Sequence, residues 1–180
     1  MYCGVDLAVK RRSTVAFFDG KGSGYLIEIG NADLPDVVKV CKVIAVDSPL
    51  TPGKGYRDFE RCMLRMGLKV FPTSFLKDLY KTAVELFRGG NAIETHPRSS
   101  FKLSRVEILN AGSKDEEDAI IASLVAFLHT RGLDYEIVGS DGVIHLANGL
   151  RAVINVGHET FSVLALSSSR ACRSLCTLSK

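Results

Sequence analysis

Met1-Tyr2-Cys3-Gly4-Val5-Asp6-Leu7-Ala8, Ser13-Thr14-Val15-Ala16-Phe17-Phe18 and Tyr25-Leu26-Ile27-Glu28-Ile29 decide the fold. Each run is short, apolar and rich in β-branched or aromatic side chains, and Asp19-Gly20-Lys21-Gly22-Ser23-Gly24 supplies a turn between the last two. The opening therefore reads as a three-strand antiparallel meander. Working outward, residues 31–40 suggest a short helix that Asn31 or Asp33 can cap. Val43-Ile44-Ala45-Val46 is apolar without alternation, as a strand covered on both faces requires, so it belongs at the sheet centre.

Beyond it, Ser48-Pro49-Leu50-Thr51-Pro52-Gly53-Lys54-Gly55 forms a loop that leads into a polar helix near Tyr56. Residues 74–88 repeat apolar side chains at three- and four-residue intervals and end at Gly89-Gly90, which predicts a second helix. Asn91-Ala92-Ile93-Glu94 is strand-like, Thr95-His96-Pro97 breaks the chain, and residues 114–130 carry the clearest helical pattern. A candidate hairpin lies around residues 136–144. The expected fold is α/β, with a five-stranded mixed central sheet flanked by helices, over residues 1–148. Residues 149–180 shift toward Ser, Ala, Val and Arg and are expected to be a tail or a homo-oligomer contact.

The chain of 180 residues, 46% hydrophobic, suffices for one ordinary domain with an extension. Residues 1–150 hold 19 basic against 19 acidic side chains and residues 151–180 hold four against one, so all of the net +3 lies in the tail. Charge alone therefore gives nucleic-acid binding no support. Five cysteines without a CxxC pair argue against a secreted disulfide framework, and Cys172 and Cys176 lack further ligands for zinc. No signal-peptide apolar region precedes Asp6, and no apolar run approaches the roughly 18 residues of a membrane span. A soluble, cytoplasmic protein that is not membrane-bound is expected.

The chemistry lies in five acids placed where predicted strands end or a predicted helix begins: Asp6, Asp47, Glu94, Asp115 and Asp118. Asp115 and Asp118, at i and i+3, share a helix face, whereas Glu116 and Glu117 point elsewhere and suit the helix dipole. Each strand-end acid taken singly could merely cap backbone amides. Their common placement instead suggests one site, because clustered buried carboxylates need a compensating cation. Mg²⁺ or Mn²⁺ takes hard oxygen ligands of this kind, and such ions suit phosphodiester cleavage. Asp6, Asp47, Asp115 and Asp118 are the candidate metal ligands, with Glu94 completing the catalytic set.

Gly4-Val5-Asp6-Leu7-Ala8, Ala45-Val46-Asp47-Ser48-Pro49-Leu50, Glu94-Thr95-His96-Pro97 and Lys114-Asp115-Glu116-Glu117-Asp118-Ala119-Ile120-Ile121-Ala122 resemble an uncharacterised family of predicted nucleases with a ribonuclease H-like fold. The resemblance spans about residues 1–146. The acids are also laid out similarly to those of Holliday-junction resolvases, with Asp6, Asp47, Asp115 and Asp118 in matching places and Glu94 as an addition. What the resemblance implies is a ribonuclease H-like fold and a metal-dependent nuclease acting on DNA or RNA. Two other functions are open. One is nucleotide phosphohydrolysis or phosphotransfer of the actin-like ATPase type, against which stands the lack of a second domain. The other is a nucleic-acid-binding module without turnover.

Lys54, Arg57 and Arg61 follow the Asp47 strand and could meet phosphates, or simply form a solvated helix face. His96 could orient a water or protonate a leaving group, against the plainer role of a loop histidine bonded to backbone. The glycines of residues 20–24 lack phosphate-loop spacing, Ser99 and Ser100 lack triad partners, and His129 suits its helix C-terminus.

Overall fold

The computed structural model describes residues 1–168 and the strand backbone at residues 173–175. Five helices and a mixed sheet form an α/β architecture. The meander folds as read: β1 (Tyr2–Asp6), β2 (Ser13–Phe18) and β3 (Ser23–Ile29) pair antiparallel, Val5 opposite Val15 and Val15 opposite Ile27. Next come α1 (Leu34–Val37), continued by a 3-10 turn (Val38–Val40), and β4 (Ile44–Val46). Then follow α2 (Asp58–Arg65), a 3-10 turn (Thr73–Phe75), α3 (Lys77–Phe87) and β5 (Ala92–Glu94). α4 (Pro97–Leu103) and β6 (Arg105–Leu109) precede the long α5 (Lys114–His129). The candidate hairpin exists as β7 (Tyr135–Gly139) and β8 (Gly142–Leu146), and β9 (Arg151–Val156), β10 (Thr160–Ser167) and β11 (Arg173–Leu175) complete the chain.

The main sheet has eight strands, not the five expected, in the order β5-β4-β1-β2-β3-β10-β9-β6. The difference comes from residues 149–180. Instead of a tail, Arg151–Val156 and Thr160–Ser167 form a hairpin that docks on β3, and β6 joins beyond it parallel to β9. β9 alternates exposed Arg151 with buried Ala152, Ile154 and Val156, a one-sided strand that has found a core to cover. Gly24 makes the docking possible, because a Cβ there would stand 2.1 Å from the Phe161 ring of β10. β11 pairs with β7 in a separate three-stranded sheet, β11-β7-β8. The other residues of the expected tail, 169–172 and 176–180, lie outside the described residues.

Two apolar layers sandwich β1 and β2. Cys3, Val5, Val15 and Phe17 pack toward Leu34 and Val38 and toward Ala83 and Phe87 of α3. Tyr2, Ala16 and Phe18 pack toward α5. Ser113 caps α5 by accepting a hydrogen bond from Glu116 N–H at 3.1 Å, and Asp115 to Glu117 complement its dipole. Gly4 sets how close α5 comes: a Cβ at that position would lie 2.0 Å from the Ala119 carbonyl oxygen and 2.2 Å from Ser123 nitrogen. The cysteines also depart from expectation, since Cys3 on β1 and Cys41 are joined by a disulfide with their Cα atoms 5.8 Å apart. Among the described residues no helix is long and apolar enough to cross a membrane.

Candidate functional site

Parallel pairing of β1, β4 and β5 puts the C-terminal ends of three strands on one edge of the sheet. Val5 stands opposite Val46, and Val46 opposite Glu94, so Asp6 and Asp47 emerge level with each other, one residue beyond Glu94, which belongs to the other face of the sheet. Asp47 N–H donates to Val5 O at 2.9 Å and Thr95 N–H to Val46 O at 3.0 Å, which carries the ladder past the strand ends. Because Gly4 seats α5 directly on β1, the first turn of that helix delivers Asp115 and Asp118 to the same edge. Four of the predicted acids, Asp6, Asp47, Asp115 and Asp118, are thus brought together.

Their charges interact strongly. Burial pushes the Asp6 carboxyl up to about 6, and repulsion from Asp115 adds to it despite the Arg11 guanidinium, which binds Asp6 Oδ2 at 3.2 Å and also pairs with Asp115. Burial raises Asp118 to about 6 as well, although Arg98 opposes this, with repulsion from Asp6 and Glu117 contributing. Arg98 donates from Nε to Asp118 Oδ2 at 3.0 Å and from Nη1 to Glu117 at 3.1 Å. Asp118 Oδ1 is buried and accepts no hydrogen bond among the described residues, its only near cation being Arg98 Nε at 2.8 Å. Asp47 is driven well above the ordinary carboxylate range, first by burial and then by Asp118, Asp6 and Glu94. No described side chain donates a hydrogen bond to it. A carboxylate so surrounded is costly unless protonated or met by a cation.

Glu94 shares the edge but is spoken for. Arg57 grips both of its oxygens, one at 2.8 Å and one at 2.5 Å, and Leu50 N–H donates to Oε2 at 2.8 Å. Burial raises its pKa against the opposing pull of Arg57. Glu94 therefore anchors the loop after β4, with three of its roughly four acceptor sites already taken. Arg57 is likewise withdrawn from the phosphate-binding role considered above: it is 3% exposed, paired also with Glu60, bonded to Thr51 and stacked over Phe59. Lys54 and Arg61 do lie on the surface, Arg61 with its Nε bonded to Tyr56 O at 3.2 Å.

His96 follows its plainer role. It caps α4, its Nδ1 accepting from Ser99 N–H at 3.3 Å and meeting Ser99 Oγ at 2.7 Å. Burial, then the Arg98 charge, lower its pKa to about 4, so it is neutral near pH 7 and no proton donor there. Between these groups opens a cavity of about 210 Å³ lined by Asp6, Asp47, Glu94 and His96 on one side and by Met63, Phe71 and Leu79 on the other.

Arg11 and Arg98 were not legible as site residues, since each reaches an acid of α5 from a distant turn or helix; Arg11 and Asp115 are 104 residues apart, and Arg98 and Asp118 are 20 apart. Carboxylates are the donors a hard divalent ion takes, four share this edge, and the two covering arginines are 55% and 41% exposed at the side chain; among the described residues, however, these acids do not bring three ligand atoms within 4.8 Å of one another, so a bound ion would have to draw them closer. Compared with family profiles, curated proteins and solved structures, the chain matches none.

Proposed function

We propose that the chain is a ribonuclease H-like, metal-dependent nuclease that hydrolyses phosphodiester bonds of DNA or RNA at the carboxylate edge. The observation that most supports this reading is Asp47, a crowded carboxylate without a donor, beside Asp6 and Asp118, whose charges already repel it. Asp6, Asp47 and Asp118 are the residues that would hold Mg²⁺ or Mn²⁺, with Asp115 joining as Arg11 swings outward. Bound there, such ions lower the pKa of a coordinated water and offset charge on the leaving oxygen. The rest falls to the chain. Lys54 and Arg61, exposed beyond β4, attract the phosphate backbone, and Phe71, 70% exposed at the cavity rim, offers a base a stacking face. Glu94 and Arg57 keep the intervening loop fixed.

The cavity favours a polymer over a free nucleotide. At about 210 Å³ it is below the roughly 300–1,000 Å³ of sites that enclose a small ligand, so one scissile phosphate fits where a whole nucleotide does not. Titrating Mg²⁺ or Mn²⁺ into wild type and Asp6→Asn, then assaying single-stranded, duplex and branched DNA and RNA, tests it. Metal-dependent cutting that Asp6→Asn abolishes is the expected result. Nucleotide turnover without cutting would indicate a phosphohydrolase instead, and retention of nucleic acid without either would indicate a binding module.

A further inference from the structure

We propose that His129, Asp134, Glu136 and His145 form a second cation site, at the far end of α5, which takes one borderline transition ion of the Zn²⁺ class. His129 ends α5, Asp134 sits in the turn that follows, and Glu136 and His145 lie on β7 and β8. In the antiparallel register Glu136 stands directly opposite His145, so both side chains leave the same face of the hairpin. His145 Nδ1 lies 2.7 Å from Asp134 Oδ2, His129 Nδ1 lies 3.0 Å from the same oxygen, and Glu136 Oε1 is 3.8 Å from His145 Nδ1. The imidazoles meet edge to face with centroids 4.5 Å apart, and one donor atom from each of the four residues falls within 4.8 Å of all the others.

A tetrahedral ion bonded at about 2.0–2.1 Å holds its ligand atoms about 3.4 Å from one another. The quartet straddles that spacing, so accommodating an ion takes shifts of about an ångström. Two imidazoles with two carboxylates suit Zn²⁺ over Mg²⁺, which prefers an all-oxygen shell with several waters. Burial adds direction. Asp134 and His145 are 5% and 6% exposed and fix the floor, while His129 and Glu136 reach solvent and leave an entry path. Four protein ligands make a closed, structural site, whose ion would clamp the β7–β8 hairpin to the end of α5. Eleven residues of helix, about 16 Å, separate His129 from Asp118, so the two sites are independent.

The test uses the full chain stripped with a chelator, then titrated with Zn²⁺ against a chromophoric competitor and with Co²⁺ as a spectroscopic stand-in. Asp6→Asn should take up one Zn²⁺ per chain and wild type at least one, and both should give the intense visible bands of tetrahedral Co²⁺. His129→Ala and the more conservative His129→Gln, checked for fold by circular dichroism, should weaken uptake at least tenfold. Wild type that binds no Zn²⁺ would leave the quartet a hydrogen-bonded network only and overturn the proposal. So would uptake unchanged in both His129 variants, uptake lost in Asp6→Asn, or a thiolate-to-cobalt charge-transfer band, which would put the ion on cysteine.

Discussion

Arg11 and Arg98 each bind two acids, yet the Asp6 and Asp118 carboxyls still sit at about 6, because burial and mutual repulsion outweigh the guanidinium groups. Folding thus raises both above the unfolded value near 3.8. The folded chain then binds more protons than the unfolded one across that interval, so metal-free stability is fullest below about pH 4 and falls as pH rises through about 6. The loss has an upper bound on the order of 3 kcal/mol per carboxylate. Thermal melts of chelated protein from pH 4 to 7 should show the decline, and Mn²⁺ should reverse it at the upper end. Arg57 makes the opposite kind of prediction. Removing it strands Glu94 and Glu60 in the interior, so Arg57→Ala should cost about 3–5 kcal/mol in denaturant unfolding. A surface phosphate ligand would leave stability unchanged. The acids were legible because Asp6, Asp47 and Glu94 each end an apolar run and Asp115 and Asp118 open a helix, patterns visible locally. Arg57 was misjudged because the sequence around it is polar, and nothing local announces that Glu60 and Glu94 draw it inward.

Among the elements, α5 decides whether the site exists. Its acids reach the strand ends only because Gly4 lets helix backbone touch strand backbone. Gly4→Ala forces the two apart, and since the obstacle is main chain, the cost should reach or exceed the upper end of the roughly 1–3 kcal/mol typical of overpacking. Mn²⁺ affinity should fall with it, measured by calorimetry on the folded fraction. α5 itself was readable from its apolar spacing and acidic first turn, and β4 from its unbroken apolar run. α4 and β6 were not. Thr95-His96-Pro97 looks like a break, but Pro97 is a favourable first helical residue and His96 supplies the cap.

At the scale of the molecule, the meander and the two later strands β4 and β5 followed from the sequence, whereas their parallel pairing beside β1 and the width of the sheet did not. The alternation of Ala152, Ile154 and Val156 was there to be seen, but a hairpin such as β9–β10 carries no local sign of which sheet edge it will join. β9 and β10 bury Ile154, Val156 and Phe161 in the core shared with α5. A chain ending at residue 148 should therefore fail to fold cooperatively by circular dichroism and limited proteolysis, where a dispensable tail would leave the melt unaltered. The claim on which the rest depends is that the carboxylate edge is a cation site. Anomalous diffraction from a crystal grown in Mn²⁺ tests it most directly: density between Asp6, Asp47 and Asp118, with Arg11 turned outward, is the expected result. Arg11 and Arg98 still clasping the acids at saturating Mn²⁺, with no anomalous peak among them, would contradict it.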